Sequence, residues 1–195
     1  MKRILIAIAL LSSGAAVPAA AQMKGQITLE PYVGYGFFGT LPGESRAKLD
    51  AAVAYGGRAA YRFSPQFSLF GNYQRSKPKV EDFPDIDATV DHWSAGVEFS
   101  YVPRGGAEGM LPILLEAGVG QARYTYDYAG SGGGFFDTGG GIHENDLAVN
   151  LGVASALQLT PAFAIRYGAN DYISNYAGDG ITNQIFVRAG AEFSF

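Results

Sequence analysis

The sequence predicts an all-β fold, an eight-stranded antiparallel up-and-down β-barrel that crosses a membrane. Three observations predict it. Segments of about 11 to 18 residues alternate apolar and polar side chains, separated by turns rich in Gly, Pro and charge. After the N-terminus, no apolar run approaches the roughly 20 residues of a membrane helix. Aromatic residues gather near both ends of the alternating segments, where amphipathic rings favour the two lipid–water boundaries.

The first strand, about residues 26–38, puts Ile27, Leu29, Val33, Tyr35 and Phe37 opposite Thr28, Glu30, Gly34 and Gly36. The second, about 51–63, sets Val53, Tyr55, Ala59, Tyr61 and Phe63 against Arg58 and Arg62. A Ser64-Pro65-Gln66 turn leads to the third, about 67–77, with Phe67, Leu69 and Tyr73 facing away from Ser68, Asn72 and Gln74. The fourth, about 89–102, opposes Trp93, Ala95, Val97, Phe99 and Tyr101 to His92, Ser94, Glu98 and Ser100. In the fifth, about 111–128, Ile113, Leu115, Ala117 and Val119 oppose Glu116, and the alternation blurs at 121–123, as at a bulge or a membrane exit. The sixth, about 145–159, carries Leu147, Val149, Leu151, Val153, Leu157 and Leu159 outward, with Asn150 and Gln158 inward. After a Thr160-Pro161-Ala162 turn, the seventh, about 163–174, opposes Phe163, Ile165, Tyr167 and Ala169 to Arg166 and Asn170. The eighth, from about 181, has Ile185, Val187, Ala189, Ala191, Phe193 and Phe195 on one face, and Arg188, Glu192 and Ser194 on the other, with Phe186 as inward filler.

The connections at 64–66, 103–110 and 160–162 read as short; those at 39–50, 78–88, 129–144 and 175–180 read as longer. That alternation describes an outer-membrane barrel with periplasmic termini and extracellular long loops. The predicted upper girdle is Tyr35, Phe37, Tyr55, Tyr73, Trp93, Tyr124, Tyr126 and Tyr167. The lower is Phe63, Phe67, Phe99, Tyr101, Phe163, Phe193 and Phe195. A soluble barrel would turn its apolar face inward and would gain nothing from two outward aromatic bands.

Residues 1–21 have the plan of an export signal: Lys2 and Arg3, an apolar run from Ile4 to Leu11, then Ala19-Ala20-Ala21 before Gln22. Cleavage would leave 174 of 195 residues, a single barrel domain over 22–195, with 12 basic against 18 acidic residues and a net charge of −6. So acidic an exported chain is a poor partner for nucleic acid. With no Cys there is neither a disulfide nor a thiolate metal site. The near-zero mean hydropathy of +0.05 is the average of an apolar outside and a polar inside.

The inward faces gather Glu30, Arg58, Arg62, Glu98, Glu116, Arg166, Arg188 and Glu192, four acids and four bases. An eight-stranded interior is just wide enough for side chains, so these charges are expected to interlock as a plug rather than line an ion path. The alternative is a narrow passive pore for ions or small solutes.

The pattern resembles the small OmpA/OmpX-like family of outer-membrane barrels, including the opacity-protein-like porin-family chains of Gram-negative bacteria. Residues 31–36 (Pro-Tyr-Val-Gly-Tyr-Gly) resemble the family's first strand, and residues 189–195 its last. The resemblance implies an integral outer-membrane protein, monomeric, with outer-membrane lipid and lipopolysaccharide as neighbours. It also implies that Val187, Ala189, Ala191, Phe193 and the terminal Phe195 form the signal read by the barrel-assembly machinery. It implies architecture more than activity; a structural or surface-interaction role without enzyme chemistry follows.

Some barrels of this size act on lipid A, and His92-Trp93-Ser94 resembles the His-x-Ser portion of the lipid A deacylase family. Residues i, i+2 and i+6 on one strand spread over roughly 20 Å, however, so Glu98 is badly placed to orient His92. No catalytic, cofactor or metal residue is therefore assigned; His143-Glu144 lies at a loop edge and lacks further ligands in its segment. The acidic segment 81–91 reads as a solvated loop, with cation bridging to lipopolysaccharide or partner binding as alternatives. The Gly-rich stretch 129–144 lacks the Gly-Lys-Ser/Thr ending of a phosphate loop, and its role is open.

Overall fold

The computed structural model describes residues 25–41, 48–81, 83–102, 111–128 and 142–195. The proposed signal over 1–21, the connection 103–110 and nearly all of the Gly-rich stretch lie outside them. The strands are β1 (Ile27–Phe38), β2 (Ala52–Arg62), β3 (Phe67–Ser76), β4 (Lys79–Val80), β5 (Phe83–Tyr101), β6 (Ile113–Tyr128), β7 (Ile142–Thr160), β8 (Phe163–Tyr176) and β9 (Gly180–Ser194). Sequence neighbours pair antiparallel except β3 and β4; β3 pairs instead with β5, β4 pairs only with β5, and β9 returns to β1, closing the sheet. The two-residue β4 only prolongs the β3–β5 hairpin, so the barrel has eight staves. Closure leaves no sheet edge, which satisfies the backbone where no water can.

Register fixes the shape. Following paired residues around the wall from Thr28 leads through Ala60, Phe70, Gly96, Gly118, Asn150, Tyr172 and Gln184 to Phe38. The circuit returns to β1 ten residues above its start (28 against 38). Such a stagger tilts eight strands by roughly 35–45° and leaves a lumen that side chains can fill. On every stave the buried inward residues are even-numbered and the odd-numbered ones face out, so Val33 and Val119 are more than half exposed. The rings form two girdles: Phe63–Phe67–Phe99 and Phe163–Phe193 at one end, Tyr35–Phe37 and Tyr73–Trp93 at the other.

Four expectations need correction. The 78–88 loop is mostly strand: β4 pairs with the start of β5, which begins at Phe83, so the hairpin runs past the membrane and the acidic segment is largely part of it. Likewise β8 and β9 extend to Tyr176 and Gly180, shrinking the 175–180 loop to a three-residue reversal in which Ala177 and Gly178 have φ of 48° and 80°. Both stretches lack the lipid-facing apolar alternation because they leave the bilayer, so their sequence reads as loop although the ladder continues. Finally, β6 has no bulge at 121–123; its register is continuous on both sides. Tyr124 is fully buried in the lumen and Tyr126 packs against the same apolar cluster, so neither belongs to the girdle. Here the polarity reverses: Gln121 and Arg123 face out while Ala122 and Tyr124 face in. A wall emerging from lipid meets water outside, which permits charge on its outer face.

Candidate functional site

The lumen is layered, and its lower half is built from charge. Arg166, 1% exposed, reaches from β8 to all four carboxylates. Its Nη2 donates to Glu98 Oε2 and, at 2.6 Å, to Glu116 Oε1. Its Nε lies 3.3 Å from Glu30 Oε2 and its Nη1 3.5 Å from Glu192 Oε2. Glu116 is the matching centre among the acids. It also accepts from Arg188 Nη2 at 2.9 and 3.0 Å and pairs with Arg58 Nε at 3.2 Å. Arg58 Nη2 donates to Glu98 Oε2 at 2.7 Å. The residues come from β1, β2, β5, β6, β8 and β9, so the cluster ties opposite walls together.

Seven of the eight predicted charges therefore meet. Arg62 is buried at the lower end of β2, but its Nη1 has no hydrogen-bond partner among the described residues. Glu30 makes its ion pair without an aligned hydrogen bond. Ring faces support two of the guanidinium groups: Arg58 lies 5.0 Å from the Phe70 centroid and Arg188 4.9 Å from that of Tyr32. Gly152 makes room for the cluster, since a Cβ there would overlap the Asn170 amide and lie 3.0 Å from Glu116 Oε2.

Neutral polar residues continue upward and were not singled out from the sequence as part of this unit. Asn170 Nδ2 donates to Glu116 Oε2 at 2.8 Å and to Asn150 Oδ1 at 3.0 Å. Asn72 accepts from the Tyr32 hydroxyl at 2.8 Å and donates to Tyr172 at 2.6 Å. Their even positions were the available signal; the cross-lumen partners could not be read without the stagger. Above them Phe186 fills the lumen as expected, packed on Phe38, His92 and Tyr172. The top is mixed: Leu41, Leu49, Val80, Ala88, Val90, Ala122, Tyr124 and Ala148 form one buried apolar cluster, beside buried Ser76, Asp146, Ser174 and Thr182.

The family model for the outer membrane protein beta-barrel domain matches residues 7–195. The chain belongs to that family. Among solved structures, Neisserial surface protein A superposes with a TM-score of 0.62 at 13% identity, over 88% of this chain and 98% of that one. Ail of Yersinia pestis, solved with the heparin analogue sucrose octasulfate, gives 0.51 at 16% identity over 88% and 100%. The N-terminal β-barrel domain of Pseudomonas aeruginosa OprF gives 0.51 at 14% identity over 89% and 100%. These likenesses concern the fold. No curated protein matches the chain in sequence.

In this outer-membrane barrel, His92 is fully buried 4.3 Å from the Tyr172 ring, and both its nitrogens lack hydrogen-bond partners among the described residues. The Ser94 hydroxyl accepts from Asn150 Nδ2 at 3.2 Å, and Glu98 is held by Arg58 and Arg166. The sequence-level objection to a His92–Ser94–Glu98 hydrolase thus acquires partners. No group of three or more His, Cys, Asp or Glu side chains placed to hold a metal occurs among the described residues. Val187, Ala189, Ala191, Phe193 and Phe195 lie on the outward side of the last strand. Phe195 exchanges backbone hydrogen bonds with Ile27 at 2.9 and 3.2 Å, at the lower seam of the barrel.

Proposed function

We propose that this outer-membrane barrel is a closed, monomeric wall element. Its charged lumen maintains its shape, and its work is done at the surface, through the rim and outer wall. One observation carries the reading: a single buried arginine, Arg166, lies within 3.5 Å of all four buried glutamates, Glu30, Glu98, Glu116 and Glu192. An ion path needs sites that ions can enter and leave, whereas these charges already satisfy one another. The apolar cluster above them supports the same conclusion. A lipid substrate would also have to cross the wall to meet His92, which argues against lipid A hydrolysis.

The orientation follows the family plan, with both termini periplasmic and the extended β3–β5 hairpin outside. Export by residues 1–21 and delivery to the assembly machinery through the strand ending at Phe195 complete the proposal. The complex of Ail with a heparin analogue supports surface interaction as a role that this fold can carry. Planar-bilayer recording on the refolded barrel tests the closed lumen. The expected trace has no stable unitary current; reproducible open levels in the wild-type barrel would replace the plug with a pore.

A further inference from the structure

Between the charged layer and the upper apolar cluster lies a third layer, polar in composition and poor in hydrogen bonds. His92 is its centre, fully buried, with the Tyr172 ring 4.3 Å and the Phe186 ring 5.3 Å from its own. Gln74 is its ladder partner on β3, and Gln184, the ladder partner of Tyr172, enters from β9. Thr182 lies one inward position above Gln184. Five buried polar atoms here have no hydrogen-bond partner among the described residues: Gln74 Nε2, both His92 nitrogens, Gln184 Oε1 and Thr182 Oγ1. Each such atom costs about 1–3 kcal/mol relative to a hydrated one. The charged layer offsets its unaligned atoms with ion pairs; this layer has hydration alone to gain.

The surrounding charges give the imidazole no partner either. Asp91, beside it on β5, points outward and accepts from Arg75 of β3 at 2.6 and 2.9 Å. Arg123 of β6 and Asp171 of β8 belong to the outward set as well. Glu98 and Glu116 lie lower on β5 and β6, each held by Arg166 of β8. Arg188 is one inward position below Phe186 on β9 and donates to Glu116. Among the tyrosines, Tyr172 stacks on the imidazole, while the Tyr124 hydroxyl of β6 accepts from Gln184. The acid above is Asp146 of β7, whose Oδ2 is unpartnered. It shares the ladder partner Ala122 with His92, two strand spacings or roughly 10 Å away. An imidazolium in the closed layer would thus touch no carboxylate.

We infer that this layer is an acid-operated gate to the upper lumen: proton uptake by His92 selects a conformer in which Phe186 and Tyr172 part and water enters. Histidine is the side chain whose charge changes in the mildly acidic range. Water serves the new charge and the five unpartnered atoms together, since a buried water needs 2–4 polar partners. The charged layer beneath stays paired, so the opened state is a vestibule above an intact plug. A conformer whose imidazole takes its proton at the ordinary value of about 6.5 gains roughly hundredfold on a closed layer that takes none, between about pH 7.5 and about pH 4.5. The gate rests on the closed-lumen reading only for the plug that remains below it.

The test is NMR of the refolded barrel in lipid nanodiscs, with ¹⁵N-labelled histidine and labelled Phe and Tyr rings. At neutral pH one neutral His92 signal is expected, with single signals for Phe186 and Tyr172. Acidification should bring a second, imidazolium set for His92 together with second sets for both rings, in a ratio that rises roughly hundredfold. His92→Gln, uncharged at every pH, should show no second ring set. A His92 that takes its proton while Phe186 and Tyr172 stay unchanged would overturn the gate. So would a ring that stays neutral down to about pH 4.5. Equal second ring sets in His92→Gln would move the sensor elsewhere and overturn it too. The wild-type measurements do not depend on the variant folding. Planar-bilayer current is a separate readout, so failure of the gate and failure of the closed-lumen reading are distinguishable.

Discussion

The lower and upper halves of the barrel wall are built on opposite polarities. Below the Tyr73–Trp93 shelf, the inside carries the Glu and Arg cluster and the outside carries aliphatic side chains. Above it, Val90, Ala122 and Tyr124 point in while Arg75, Asp91 and Arg123 belong to the outward set. The strand geometry is continuous through the change, so the difference comes from what each face meets. Lipid outside forces polar groups inward, where they must pair with one another. Water outside permits charge there, and Leu41 and Leu49 from the β1–β2 connection are buried against the inward Val90, Ala122, Tyr124 and Ala148.

That contrast orders the expected effects of substitution. The largest belongs to Arg166→Ala, which leaves four buried carboxylates without their shared partner. Removing one member of a buried pair costs about 3–5 kcal/mol, so thermal unfolding in lipid vesicles should shift strongly downward. Gly152→Val comes next, because its side chain would displace Asn170 and Glu116; overpacking of this kind costs roughly 1–3 kcal/mol. A denaturant titration showing wild-type stability for this variant would mean that the lower layer is loosely packed.

In the upper half, Leu49→Ala should cost about 2 kcal/mol or more locally, while global unfolding changes less than for Arg166→Ala. Hydrogen exchange at the amides of Asp50 and Glu81, which donate to Lys79 and Lys48 carbonyls, should accelerate. Faster exchange throughout the charged layer instead would join the two halves into one cooperative unit. The smallest effect belongs to Lys48→Ala at the rim. Its pair with Glu81 is about half exposed, and such pairs contribute about 0–1 kcal/mol.

Legibility in the sequence follows the same divide. Where lipid faced a polar lumen, the period of two was strong enough to assign eight inward charges by position, and each of them is buried; Asp146, also inward and buried higher up on β7, was not among them. Above the lipid the contrast faded, so continuing strand in β5 and β8 read as loop. Tyr124 read as a girdle residue because a tyrosine suits a headgroup zone and a lumen equally well. Its hydroxyl pairs with Ser174 Oγ at 3.3 Å, a contact 50 residues away in the chain. The central role of Arg166 was also hidden. Four inward arginines are equivalent by parity, and only the ten-residue stagger determines which one faces four glutamates.

A double-mutant cycle on Arg166 and Glu116 measures whether these charges act as one coupled unit. Unfolding free energies would be measured in lipid vesicles for Arg166→Met, Glu116→Gln and the double variant. The double variant is expected to lose less than the sum of the singles, with a coupling of about 1–3 kcal/mol. Strict additivity would contradict it, leaving Arg166 and Glu116 as separate side chains that merely share a lumen.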